Sequence, residues 1–169
     1  MAGAVNFSSK HLQGSSAHFE MSQLRHWQGE WARSLSPEAA LAWLEPWLPA
    51  TEPAARRAAF VAAVRANVVV GEDARGWCNV AFGGPLEFEA DALAEAHTAG
   101  PEFFRAVAAS VVDGADLKLM RAASGRAGAA FFRPLRAALT GRLHGPELVP
   151  LLQLMGPECV RARLLAMVG

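Results

Sequence analysis

Arginine side chains near the C-terminal end supply the clearest chemical signal in this sequence. Residues 118–169 contain eight basic and two acidic side chains, whereas residues 1–117 contain eight basic and fourteen acidic ones. The formal net charge of the whole chain is zero, so the total hides two stretches of opposite sign. A basic region suits a polyanionic partner such as a phosphate backbone, and a solvated basic face without a ligand is the alternative.

Three of these arginines surround one short segment. Arg133 and Arg136 are three positions apart on a predicted helix and should share a face, and Arg142 follows the glycine that ends this helix. A loop with Gly145 and Pro146 then leads into a second, apolar helix. The pattern predicts a helix–loop–helix with arginines beside the loop, whose backbone would approach a nucleobase in a single-stranded RNA loop.

Motifs for catalysis are missing from the sequence. There is no glycine-rich phosphate loop and no Gly-x-Ser-x-Gly nucleophile elbow. The histidines and cysteines lack metal-ligand spacing, so we predict no metal site and no catalytic residue, and an independent enzyme is a remote alternative. Cys78 and Cys159 are predicted to be reduced core thiols of a cytoplasmic protein. No apolar run is long enough to span a membrane, and no secretory signal is present.

Two pairs of tryptophans stand out in the first third of the chain. Trp27 and Trp31 are four positions apart, as are Trp43 and Trp47, so each pair lies along one face of a helix. Stacking on nucleobases is one interpretation of such pairs. We favour the other, in which both pairs pack the interior of an N-terminal lobe, because leucines accompany them at core-like spacing.

The elements that must position these residues are predicted to be helices throughout. Hydrophobic residues make up 52% of the chain, with abundant alanine and leucine, and β-branched runs are short, so we predict an all-α fold. Capping residues, prolines and glycines mark the ends of the helices. The predicted helices cover residues 36–47, 51–66, 72–82, 89–97, 101–113, 115–123, 127–139, 147–155 and 158–167. The first 15 residues are predicted to be irregular, and we expect two packed lobes, 1–98 and 99–169.

The C-terminal segment resembles a known family. Phe132–Gly141 reads FRPLRAALTG, and it is followed by the Gly145-Pro146 turn, by Leu154-Met155-Gly156 and by Arg163-Leu164. In this order these phrases resemble the C-terminal region of bacterial glutamyl-tRNA synthetases. A weaker match, Ser15–Leu24, resembles the phrase that follows the catalytic half in that family. Together the two matches span nearly the whole chain.

The resemblance implies the anticodon-binding portion of such a synthetase, with an all-α helix cage. The nucleotide-binding half should carry a His-Ile-Gly-His-like and a Lys-Met-Ser-Lys-Ser-like motif, and neither occurs. The chain alone is therefore predicted to be inactive, and ATP and magnesium are expected only in the catalytic half. A separately expressed domain, a truncated gene product and one piece of a split enzyme all fit this reading.

The resemblance also suggests positions for the RNA contacts. In the family an arginine in the middle region reads the third anticodon base, and its best correspondence here is Asn67, beside Arg65. The turn that encloses the anticodon corresponds to Gly145, Pro146 and Leu148. The implied partner is a glutamate tRNA or, alternatively, a glutamine tRNA, together with a separate catalytic domain or subunit, and not DNA. A second hypothesis is a protein-interaction or regulatory module, derived from a synthetase, that no longer binds tRNA.

Overall fold

The computed structural model describes residues 13–112 and 114–169, with the backbone alone for residues 13–20 and 22. These ranges contain α-helices, short 3-10 turns and loops, and no strand, which confirms the predicted all-α fold. The α-helices in order are α1 (Gln13–Ser34), α2 (Pro37–Leu44), α3 (Ala54–Val64), α4 (Ala74–Phe82), α5 (Ala90–Ala99), α6 (Pro101–Ala109), α7 (Leu117–Ser124), α8 (Ala129–Thr140) and α9 (Leu148–Ala166). None of them is long and apolar enough to cross a membrane.

The predicted start of α2 is confirmed by its cap. The Ser36 hydroxyl accepts a hydrogen bond from the Ala39 amide at 3.2 Å, and Pro37 occupies the first helical position. Both features satisfy or avoid the unpaired N–H groups of a helix start. The α-helix ends at Leu44 and continues as a 3-10 turn, Glu45–Trp47, so the single predicted helix over 36–47 has two parts.

Helix α1 begins earlier than the sequence pattern predicts. It starts at Gln13, so residues 13–15, predicted to be irregular, are helical, while residues 1–12 lie outside the described range. Glycine and serine at positions 14–16 are poor helix formers, which is why the prediction missed this turn. The buried residues that fasten the helix to the molecule, Gly29 and Ala32, lie near its other end.

Two prolines and a glycine shape the last two helices. Pro134, where the sequence pattern allowed a helix start or a kink, lies inside α8, as in the helix predicted over residues 127–139. It lacks an N–H group, and the Ala130 carbonyl therefore loses its usual partner in the helix. In α9, Gly156 has a φ of 74° and interrupts the helix just before Pro157, which confirms the predicted separation of the two helical stretches.

One continuous core joins the helices. Helix α9 packs against α3, α4, α6 and α8, while α5 packs mainly against α8. Large side chains from several helices are fully buried in this core, among them Phe60, Phe104, Phe131, Leu135 and Leu164. The predicted boundary at residue 98 assigns α5 to the first lobe, although its main neighbour α8 belongs to the second. The two-lobe division stays a prediction.

The two tryptophan pairs have different environments. Trp43 and Trp47 are half-buried against the core, as predicted. Trp27 and Trp31 remain 67% and 50% exposed, so the packing interpretation is wrong for this pair. The Trp31 ring makes a T-shaped contact with the Trp43 ring, with 5.2 Å between centroids, and the Trp27 ring meets that of its neighbour His26 at 5.9 Å. Among the α1 residues whose side chains are described, the two that are buried against the body of the molecule, Gly29 and Ala32, lie towards its C-terminal end.

The two cysteines are free thiols, and they also differ. Cys78 is buried, and burial raises the pKa of its thiol to about 11. Cys159 is half-buried and borders a surface groove, so the prediction of a core position fits Cys78 better.

Candidate nucleic-acid interface

Helix α8 ends in a tight turn that fixes the start of the arginine-flanked loop. Gly141 adopts a left-handed conformation with a φ of 70°, and its N–H donates to the Ala137 carbonyl at 2.8 Å. The Gly141 carbonyl accepts a hydrogen bond from the Glu89 amide at 2.9 Å. A Cβ at this position would lie 2.2 Å from the Glu87 carbonyl oxygen. The site therefore requires glycine for its conformation and for its close backbone contact.

The loop between α8 and α9 is held from within. Gly145 lies against the buried indole of Trp77, and a Cβ there would approach the ring to 2.3 Å. The Arg136 guanidinium donates to the Pro146 carbonyl at 2.7 Å, and burial lowers the pKa of this arginine. The Thr140 hydroxyl oxygen accepts a hydrogen bond from the Arg142 amide at 3.2 Å. The backbone of the predicted turn is thus preorganised by its own side chains.

Arg142 lies in the same loop, against the Trp77 ring. Its guanidinium carbon lies 4.8 Å from the centre of the Trp77 ring, a cation–π geometry. Its Nε is 3.8 Å from a carboxylate oxygen of Glu89, and its side chain is 35% exposed. One face of the guanidinium is therefore covered by the indole, while part of the group stays accessible to a ligand.

Arg133 and Arg136, which were predicted to share a face, have different partners. Arg133 donates to Glu95 on α5 at 2.9 Å and keeps 48% of its side chain exposed. Arg136 is half-buried and bound to the loop. Only Arg133 of the two presents its charge mainly to solvent. Arg136 acts on the surface indirectly, by holding Pro146 in place.

The other residues that the sequence predicts to contact RNA lie in two separate places. Pro146 is buried and Leu148 is 6% exposed, so both support the loop from below. Arg65 and Asn67 lie in a 3-10 turn after α3, where Arg65 donates to the Leu35 carbonyl at 3.0 Å and Asn67 is exposed. None of the described contacts joins this turn to the loop after α8.

A cleft beside Arg142 contains residues that the sequence did not single out. It has a volume of about 400 Å³ and is bordered by α4, by the loop before α5 and by the end of α8. Arg75 and Asn79 line it from α4, together with Arg142, while Glu72, Asp73 and Glu87 add negative charge. Guanidinium and amide groups are suited to hydrogen-bond the edges of bases. The only sequence signal was their spacing of four on one predicted helix, which is common in ordinary surface helices.

Several arginines of the basic end turn out to be internal. Arg163 donates to the carbonyls of Asn79 and Val80 at the end of α4, each at 2.7 Å, and to the Leu139 carbonyl near the end of α8 at 2.8 Å. Burial lowers its pKa, while the neighbouring Cys159 acts in the opposite direction. Arg126 similarly donates to the Ala99 carbonyl at the end of α5, at 2.9 Å. These side chains satisfy carbonyls that helix ends leave unpaired.

The outward-facing charge is therefore smaller than the sequence count suggests. Lys118, Arg121, Arg133 and Arg161 are the exposed basic residues of this end, and Arg142 is partly exposed. In the described part of the chain, no three histidine, cysteine or acidic side chains lie close enough together to bind a metal. The chemistry available at this surface is hydrogen-bonding, with acidic and basic side chains side by side.

Comparison with known proteins identifies the class first. A family model described as an anticodon binding domain matches residues 38–168, so the chain belongs to the anticodon-binding domain family. An anticodon is part of a tRNA, and the match thus supports the predicted class of partner.

The relatives narrow this class to one kind of enzyme. The chain is 43% identical over 166 residues to glutamate--tRNA ligase 2 of Acidithiobacillus ferrooxidans, covering 95% of this chain and 34% of the relative. It is 40% identical over 166 residues to glutamate--tRNA ligase 2 of Nitrosococcus oceani, covering 95% of this chain and 35% of the relative. This chain corresponds to the C-terminal anticodon-binding region of such ligases, which confirms the resemblance, and it spans about a third of their length.

A solved structure agrees on the fold. The crystal structure of a glutamate tRNA ligase from Elizabethkingia meningosepticum, in complex with its amino acid, superposes with a TM-score of 0.66 at 17% identity. The superposition covers 85% of this chain and 31% of that structure.

Proposed function

We propose that this chain binds the anticodon loop of a glutamate tRNA in the cytoplasm, through the surface around the loop Arg142–Glu147. The observation that carries the proposal is the position of Arg142. Its guanidinium is stacked on Trp77 beside the Gly145 turn and at the rim of the Arg75–Asn79 cleft. A planar cation held in this way can contact a base or a phosphate without losing much side-chain freedom on binding.

The exposed basic residues would supply the attraction over longer distances. Arg142 belongs to this loop, and Arg133 lies on the helix that precedes it. Contacts between such side chains and phosphates release counterions bound to the RNA. The unpaired base edges of an anticodon would enter the cleft, where Asn79 and Arg75 offer donors and the Asn79 amide also offers an acceptor. This division assigns affinity to the charges and base selectivity to the cleft.

Asn67 bears on the choice between glutamate and glutamine tRNAs. It is exposed on the turn after α3, where the family resemblance places a base-reading arginine. An asparagine side chain is shorter and uncharged, so we propose that this chain discriminates weakly at the third anticodon base. Arg65, bound to the Leu35 carbonyl, supports the turn.

Glutamylation itself is assigned to a catalytic portion outside this chain. We propose that ATP and magnesium act there, and that the present chain contributes recognition of the tRNA. The predicted alternative, an interaction module without tRNA binding, is decided by the same titration.

The test is a titration of the chain into labelled glutamate tRNA at low and at high salt. We expect Arg133→Ala and Arg142→Ala each to weaken binding and to lower the slope of log affinity against log salt by about one. Arg105→Ala is the control, because Arg105 on α6 is about as exposed as Arg133 and is likewise paired with a glutamate, Glu102. Thermal unfolding checks that each variant retains its fold.

The specificity arm uses a glutamate tRNA with altered anticodon bases and a glutamine tRNA. We expect the altered anticodon to bind less well, and Asn79→Ala to reduce that difference. A chain that binds no tRNA even at low salt would contradict the proposal and favour the interaction module. Equal losses for Arg105→Ala and Arg142→Ala would instead show attraction without a site.

A further inference from the structure

The cleft beside Arg142 is lined by two elements of different chemistry. Arg75 and Asn79 line it from α4 and Arg142 lines it from the end of α8, so these elements present N–H donors. The loop before α5 lines it with Pro85, Leu86 and Glu87, and of these three side chains only that of Glu87 can form hydrogen bonds. The loop therefore adds a carboxylate acceptor to a cleft of guanidinium and amide donors.

The backbone that carries Glu87 is held at both ends of this loop. A Cβ at Gly141 would lie 2.2 Å from the Glu87 carbonyl oxygen, and the Glu89 amide donates to the Gly141 carbonyl at 2.9 Å. At the start of the loop, a Cβ at Gly84 would lie 2.6 Å from the Asn79 side-chain oxygen, so the loop also packs closely on α4. Because the backbone is fixed in this way, the Glu87 side chain has a defined origin at the rim of the cleft.

The Glu87 carboxylate is available to a ligand, unlike two carboxylates near it. Asp73 accepts hydrogen bonds from the Val69 and Val70 amides, each at 3.0 Å, and a Glu89 oxygen lies 3.8 Å from the Nε of an arginine. Glu87 is exposed, and it takes part in none of the hydrogen bonds and ion pairs formed by the side chains that the structure describes. An ionised carboxylate only accepts hydrogen bonds, so its partner must supply a donor.

We propose that Glu87 is a specificity-determining residue and that the cleft selects a cytosine over a uracil at one position of the anticodon. The pairing edge of cytosine carries an amino group beside two acceptors, and carboxylates accept hydrogen bonds from this amino group. The cleft offers the matching set, one free carboxylate together with the donors of Arg75, Asn79 and Arg142. Uracil has an oxygen in place of the amino group, so two acceptors would meet without a proton between them. The inference rests on the anticodon binding proposed above.

The acidic residues of the cleft favour a base over a phosphate as its occupant. Glu72, Asp73 and Glu87 place three carboxylates against the guanidinium groups of Arg75 and Arg142. A phosphate group is anionic and offers acceptors, so it would be repelled by these carboxylates and could not satisfy Glu87. A neutral base with an amino group meets neither obstacle.

The experiment titrates the chain into labelled glutamate tRNAs in which each anticodon position carries cytosine or uracil in turn. At one position we expect cytosine to bind at least about tenfold more tightly than uracil, as for one well-placed base contact. Glu87→Gln should reduce that ratio to within about twofold, because an amide both donates and accepts and so accommodates either base. No cytosine preference at any position, or the same ratio in Glu87→Gln, would overturn the proposal.

Glu158→Gln is the matched control for the loss of one negative charge. Glu158 is a glutamate of α9 that is exposed like Glu87 and does not line the cleft. This variant should leave the cytosine-to-uracil ratio within about twofold of that of the unchanged chain. If Glu87→Gln raises the affinity for every RNA alike and keeps the ratio, the carboxylate acts by general repulsion, which would also overturn the proposal. Thermal unfolding checks that both variants are folded.

Two further variants separate this inference from the proposed function. Arg142→Ala tests the binding surface itself, so an unchanged affinity for all RNAs in this variant would contradict the proposed function and the inference together. If Arg142→Ala weakens binding and Glu87→Gln leaves the ratio unchanged, the inference alone fails. Glu72→Gln tests the other exposed glutamate of the cleft, and a ratio that is lost in this variant but kept in Glu87→Gln would overturn the assignment to Glu87.

Discussion

In helices α8 and α9 two of the four arginines, Arg136 and Arg163, turn towards the protein, whereas in α1 the tryptophans turn towards solvent. Arg136 and Arg163 bind backbone carbonyls of neighbouring segments. Trp27 and Trp31 are at least half exposed. Arginines in the region of larger net charge thus serve its own structure, and the apolar tryptophans of α1 are the side chains left exposed. Residue type alone does not indicate which of two regions meets a partner.

The difference has a physical cause in the way helices end. In α4, α5 and α8 the last carbonyls point at packed neighbours, where water cannot reach them freely, and a guanidinium with five donors can satisfy several at once. In α1, Met21, Leu24, Trp27 and Trp31 are each at least half exposed, although Trp31 also packs against Trp43. Arginine side chains thus satisfy carbonyls around α8 and α9, whereas the tryptophans of α1 stay exposed to solvent.

The largest expected effect comes from removing Arg163, the arginine with the most internal contacts. Arg163→Met keeps an apolar stem but leaves the carbonyls of Asn79, Val80 and Leu139 without their donor. We expect the free energy of unfolding in urea to fall by about 3–5 kcal/mol, because each unsatisfied buried group costs about 1–3 kcal/mol. Arg161→Met, two positions away and exposed, should change it by less than about 0.5 kcal/mol. Equal small effects would show that Arg163 is a surface charge after all.

A smaller effect is expected from two glycines that end helices in the same conformation. Gly125 and Gly141 follow α7 and α8 with φ values of 63° and 70°. Gly125→Ala meets no atom within 4 Å, so it should cost only the left-handed strain of about 1 kcal/mol. Gly141→Ala places a Cβ 2.2 Å from the Glu87 oxygen and should cost about 1–3 kcal/mol more. Urea unfolding of both variants measures the difference, and equal losses would mean that the loop after α8 tolerates displacement.

The sequence predicted the helices well because their ends carry strong local signals. Ser36-Pro37 at the start of α2, Gly141 after α8 and Gly156 within α9 act through their own backbone, and the structure confirms all three. The resemblance also identified the family correctly. Local signals missed the helical conformation of residues 13–15, since glycine and serine there are poor helix formers, and they left open whether Pro134 would kink its helix.

The site was harder to predict than the fold. Spacing placed Arg133 and Arg136 on one face, but their partners Glu95 and Pro146 are set by tertiary packing. Trp77, on which Gly145 and Arg142 both rest, is far from them in the sequence, and no local pattern connects the three. The burial of a side chain distinguishes a residue that supports the loop from one that is accessible to a ligand. A count of charged residues in the sequence does not make this distinction.

The smallest expected effect on the free energy of unfolding is that of a substitution in α1. Trp27 is 67% exposed, so Trp27→Ala should change the free energy of unfolding by less than about 0.5 kcal/mol, although it removes the largest side chain. Trp43, half-buried against the core and in edge contact with Trp31, is the matched control, and Trp43→Ala should cost about 1–3 kcal/mol. Urea unfolding at pH 7 compares the two. A loss for Trp27→Ala as large as that for Trp43→Ala would place Trp27 in an intramolecular contact. The exposed apolar residues of α1 would then contribute to the folded core, and the contrast between α1 and helices α8 and α9 would disappear.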